Sequence, residues 1–70
     1  MTMYDEIKVE LLHKGKSLQD VYNALGISRQ AFYLKCTGKT EMRLSDIQKI
    51  SDVLELTSED RERIFFESES

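Results

Sequence analysis

The chain has 70 residues, of which 40% are hydrophobic and 33% charged, with no proline and a formal net charge of −3. At this length a chain buries only about 60% of its unfolded surface, which restricts it to a single domain and leaves too little wall for a deep catalytic pocket. No apolar run approaches the roughly 20 residues of a membrane span. The start, Met1-Thr2-Met3-Tyr4-Asp5-Glu6, lacks the basic-then-apolar order of a secretion signal, and the single cysteine, Cys36, has no internal disulfide partner. The expectation is one domain at work in a reducing cytoplasm, away from membranes.

Five helical segments are predicted, and together they make an all-α fold, a compact bundle of short helices. The first spans about Met3 to Lys14, with Tyr4, Ile7 and Leu11 on one face and Leu12 beside it. Asp5 and Glu6 in its first turn and His13 and Lys14 in its last suit the helix dipole. Gly15 then fits a stop. Ser17, followed three residues later by Asp20, marks the N-terminus of a second helix through Val21, Tyr22 and Leu25, ended by Gly26. Ser28 is the next N-cap and opens a helix from Arg29 to about Cys36. Thr37-Gly38-Lys39-Thr40 reads as a loop. A fourth helix carries Leu44, Ile47, Ile50 and Leu54 as an apolar stripe. Thr57 or Ser58 caps a last short helix that reaches Ile64, Phe65 and Phe66. The domain thus covers residues 1–66, with 67–70 a frayed acidic tail.

Charge is unevenly distributed. Between Ile27 and Arg43, the cations Arg29, Lys35, Lys39 and Arg43 outweigh the lone acid Glu41 by a net +3, whereas Leu44 to Ser70 carries a net −5. Anion binding depends on where cations sit locally, so an acidic protein can still present a basic face. By charge alone, a solvated loop explains those cations equally well.

The informative stretch runs from Ser17 to Cys36. Two short helices meet at a turn containing Gly26, which can take the left-handed conformation such a turn needs, with Ile27 as an apolar plug beneath it. Val21 and Leu25 on the first helix meet Phe32 and Cys36 on the second, all spaced by four. That packing leaves Arg29, Gln30, Tyr33 and Leu34 on the outer side of a helix sized to enter a DNA major groove.

This stretch resembles the helix-turn-helix of the lambda-repressor-like, or Cro/repressor, family. The resemblance rests on Leu25-Gly26-Ile27-Ser28-Arg29, then Phe32, then Gly38-Lys39, and it extends over roughly residues 4 to 66. The Leu44–Leu54 helix and the closing Ile64-Phe65-Phe66 are similar to the short Cro-like regulators of bacteriophages of Gram-positive bacteria. Two positions depart from the family pattern. Tyr22 stands where alanine is usual, either widening the helix crossing or swinging its hydroxyl into water. Lys35 stands where many relatives are apolar, with Cys36 taking the buried role one position later.

The resemblance implies a sequence-specific transcriptional regulator that binds double-stranded operator DNA as a homodimer. Arg29 and Gln30 are the candidates for base contact, since arginine pairs bidentately with guanine and glutamine with adenine. Ser28 is a helix cap and, secondarily, a phosphate contact. Tyr33 contacts a thymine methyl or a phosphate, or covers the core edge. Leu34 meets a thymine methyl or is partly buried. Ser17 and Gln19 reach phosphate from the preceding helix. Lys35, Lys39, Thr40 and Arg43 clamp phosphate, or merely keep the loop soluble.

The bland readings are His13 as a capping cation, Cys36 as a small core residue, and Asp46, Asp52, Glu55 and Glu59 as a solvated acidic face. No Cys/His cluster has zinc-ligand spacing, and no glycine-rich phosphate loop occurs. Neither a metal, a cofactor, a small-molecule substrate nor enzymatic activity is expected. The alternative function is a protein-binding module on the same fold, an antirepressor or inhibitor whose acidic C-terminal half addresses a basic partner.

Overall fold

The computed structural model describes residues 2–66. The tail read from the sequence, residues 67–70, lies outside the described residues. Five α-helices follow in order: α1 Met3–Lys14, α2 Leu18–Leu25, α3 Arg29–Cys36, α4 Leu44–Leu54 and α5 Ser58–Arg61, the last continuing into a π-helical turn, Glu62–Phe66. Among the described residues there is no strand, and the fold is all-α as the periodicity predicts.

Local chemistry sets the helix boundaries. Ser17 Oγ accepts the Asp20 N–H at 3.3 Å while the Ser17 N–H donates to the Asp20 carboxylate at 3.0 Å. This reciprocal pair satisfies two of the donors a helix start leaves orphaned. The same box forms between Thr57 and Asp60, which decides between the two candidate caps of α5. It forms again between Thr2 and Asp5, at a position the sequence reading passed over. At the other ends, Gly15 and Gly26 take left-handed backbone angles, φ 67° and 71°. The Ile27 N–H then reaches the Tyr22 carbonyl at 3.1 Å, closing the turn between α2 and α3. Glu55 ends α4 in the same left-handed region, φ 53°, without being glycine.

The core gathers Ile7 and Leu11 from α1, Val21 from α2, Phe32 and Cys36 from α3, Ile47, Ile50 and Leu54 from α4, and Ile64 and Phe65 from the closing turn. Tyr22 and Leu25 pack against it half-buried, so Tyr22 adapts by lying on the core edge. Burial pushes the Cys36 thiol up to about 12, consistent with a core side chain that stays a thiol at neutral pH.

One stripe residue, Leu44, and one residue read beside a stripe, Leu12, lie further out than their neighbours. Leu44 is 59% exposed and Leu12 82% exposed. Leu44 is the first residue of α4 and lies beyond the end of the core, whose α4 face is instead completed by Ser51. The buried Ser51 hydroxyl donates to the Ile47 carbonyl at 2.7 Å, which offsets the cost of burying it.

A charged cluster fastens the C-terminal turn to α1. The Arg63 guanidinium contacts Glu6 at 2.7 Å and both Glu10 and Asp60 at 3.1 Å. Glu10 is buried, and this pairing is what makes its burial tolerable.

Candidate nucleic-acid interface

The interface is built on α3, held from below and from both sides. Below, Phe32 is completely buried and anchors the helix to the core. On one side, the Tyr33 ring meets the Tyr4 ring of α1 edge-on, centroids 5.0 Å apart. On the other, the Lys35 ammonium contacts the Asp46 carboxylate of α4 at 3.0 Å and donates to the Glu41 carbonyl at the same distance. A helix fixed on three sides presents its remaining face with little freedom, as a reading element requires.

That remaining face begins with Ser28, Arg29 and Gln30, all exposed. Ser28 Oγ accepts the Ala31 N–H at 3.1 Å, which fixes the start of α3 and places the next two side chains at its tip. Tyr33 is 47% exposed. Leu34 is half-buried, because the following loop folds back over it: its carbonyl accepts the N–H groups of Lys39 at 2.9 Å and Thr40 at 3.2 Å. The turn passes through Gly38 at φ 86°. Lys39 and Thr40 are thereby brought beside the C-terminal end of α3, and Arg43 follows at the start of α4, all three exposed. Ser17 and Gln19 are exposed at the start of α2. Among the described residues, no ion pair engages Arg29, Lys39 or Arg43.

Lys35 is placed differently from its sequence reading as a phosphate contact. Its side chain is only 18% exposed and its ammonium is engaged within the fold, because its position on α3 faces α4 and not the outer surface. Asp46, read as part of a solvated acidic face, is the other half of this strut. No single residue type announces the pair; it depends on how α4 docks beside α3.

Burial pushes the Asp46 carboxyl up, but the Arg43 backbone N–H and then the Lys35 ammonium outweigh it and hold the group below the usual carboxylate range. A carboxylate depressed in the folded state stabilises above its unfolded pKa, about 3.9, and that stabilisation is lost as pH falls through the folded value. Asp46→Asn should therefore cost about 1–2 kcal/mol at neutral pH, between the worth of an exposed and a buried pair. The difference from the parent should vanish in acid. Denaturant titrations at several pH values check this, and a gap that persists in strong acid would assign the loss to packing instead.

Two short helices joined by a tight left-handed turn, with an exposed polar second helix held against a helical core, define a helix-turn-helix DNA-binding domain. The family model of the Cro/C1-type HTH DNA-binding domain matches residues 6–60. The chain belongs to this family: it is a DNA-binding regulator, and its partner is double-stranded DNA. No curated protein and no solved structure matches it. Among the described residues, no helix is long and apolar enough to cross a membrane.

Proposed function

We propose that the protein is a sequence-specific repressor of the Cro type that binds operator DNA as a symmetric homodimer, with α3 of each copy in a major groove. The observation that carries this reading is the tip of α3. Arg29 and Gln30, the two side chains best suited to guanine and adenine edges, stand exposed on a helix clamped by Phe32, Tyr33–Tyr4 and Lys35–Asp46. Lys39, Thr40 and Arg43 lie just beyond it, where they contact the phosphate backbone and set the register. Ser17, Gln19 and Ser28 add contacts from the two helix starts.

Size supports the dimer. The Cα trace extends 27 Å along its longest axis, short of the roughly 34–36 Å between successive major grooves on one face of DNA. One copy covers one half-site, and a palindrome requires two. Phe66, 54% exposed beside the buried Phe65, is the residue assigned to the contact between copies. The proposal includes a phage-encoded origin, on the similarity to short Cro-like regulators, a place in the cytoplasm of a bacterial host, and no catalysis. Enrichment of duplexes from a random pool tests it: a shared motif that survives scrambled competitor is expected, and a pool that never converges would remove sequence specificity from the account.

A further inference from the structure

The flank of α3 that faces α1 carries a row of groups outside the contacts already assigned. Tyr4 is half-buried and packs against the core ring of Phe32, centroids 6.4 Å apart, as well as against Tyr33. On Tyr4 in turn rests the Lys8 ammonium, 5.2 Å from the ring centroid. Lys8 is exposed, and among the described residues it forms no ion pair.

Charge along α1 is segregated around the helix. Glu6 and Glu10 face the Arg63 guanidinium on the flank toward the C-terminal turn. Asp5, one turn before Lys8, has its carboxylate turned back on the Thr2 N–H. The flank beside α3 therefore presents a cation on an aromatic platform, with the carboxylates of α1 committed elsewhere. Packed helices lie about 8–10 Å apart, and the major groove is about 12 Å wide. A cation on the helix next to one seated in the groove consequently lies at the groove's edge, where the phosphates run.

We propose that Lys8 is a further contact to the DNA phosphate backbone, and that Tyr4 is a positioning residue that holds Lys8 and Tyr33 toward the same strand. This rests on the placement of α3 in the major groove given above. The Tyr4 ring is itself held by Phe32, so the row Lys8, Tyr4, Tyr33 is fixed to the core before DNA arrives. Ordering cost at binding is correspondingly small.

The test uses the full chain, a duplex enriched from a random pool and its scrambled counterpart, with affinity measured against salt. Lys8→Gln should weaken both duplexes several-fold and lower the salt slope by about 0.9 per half-site. Lys14→Gln is the control: at the C-terminal end of α1 its ammonium reaches the Glu55 carbonyl at 3.4 Å, and its slope should match the parent. Tyr4→Phe should bind as the parent does. In a Tyr4→Leu background, confirmed as folded by its thermal melt, Lys8→Gln should cost less than in the parent, the coupling expected of residues that act together.

An unchanged slope for Lys8→Gln, or an equal drop for Lys14→Gln, overturns the contact. An undiminished Lys8→Gln loss in the Tyr4→Leu background overturns the positioning role. If the parent itself does not prefer the enriched duplex, the failure lies with the proposed function. If it does prefer it and Lys8→Gln keeps the parent slope, only this inference falls.

Discussion

Phe65→Ala is expected to leave the protein largely unfolded at physiological temperature, while Phe66→Ala leaves its stability almost unchanged. Phe65 is 8% exposed and closes the core with Ile64, whereas its neighbour is 54% exposed. Truncating a buried phenylalanine costs about 3–5 kcal/mol. Below about 70–80 residues a single core rarely supplies more than about 3–5 kcal/mol in all. Removing an exposed ring usually shifts stability by less than about 0.5 kcal/mol. The second variant should instead lower self-association, and weaken binding to a full palindromic operator more than to an isolated half-site. Thermal melts, sedimentation and paired binding isotherms separate the two outcomes. Equal destabilisation by both variants would make both rings core. Unchanged self-association for Phe66→Ala would move the interface away from the C-terminal turn.

The second large effect concerns DNA. Arg29→Ala or Gln30→Ala should each cost about 1–3 kcal/mol of specific binding and relax preference at one or two positions in each half-site. Neither side chain belongs to the core, so the folded state should melt as the parent does. Lys39→Ala and Arg43→Ala should weaken specific and scrambled duplexes alike, each lowering the salt slope by about 0.9 per half-site. The contrast carries the assignment, because a base contact changes which sequence is preferred while a phosphate contact changes only how tightly any sequence is held. Equal losses on both duplexes for Arg29→Ala and Gln30→Ala would return them to an ordinary exposed helix start.

The helices themselves were largely legible in the sequence, for a local reason. Gly15 and Gly26 end α1 and α2 in the left-handed region, and Ser17, Ser28 and Thr57 cap the helices that follow. Each signal involves residues within one turn of one another, so it survives without knowledge of the fold. The end of α4 at Leu54 is legible from its apolar stripe alone, since Glu55 adopts a left-handed angle that its residue type does not announce.

The less legible features are those that depend on how the helices dock. Arg63 and Glu10 are 53 positions apart, and neither carries a local mark of the other. Lys35 reads from sequence as a helix cation at a position where relatives are often apolar, and as a phosphate contact; the placement of α4 beside α3 is what turns it inward onto Asp46. The choice between Phe65 and Phe66 is of the same kind. Successive helical residues diverge by about 100°, so periodicity says that they face differently, while the position of α1 decides which is covered. For the outer face of α3 the sequence was informative, because burial of Phe32 and Cys36 at a spacing of four determines what is left outside.

The central claim is that α3 reads bases from the major groove, and methylation interference on a duplex enriched from a random pool tests it most directly. The N7 atom of guanine lies in the major groove, whereas N3 of adenine lies in the minor groove. The predicted result is strong interference from guanine N7 methylation in two clusters about one helical turn apart, with Arg29→Ala abolishing it at the guanine that residue reads. Interference confined to adenine N3, or none at either atom on a duplex the protein demonstrably prefers, would contradict it.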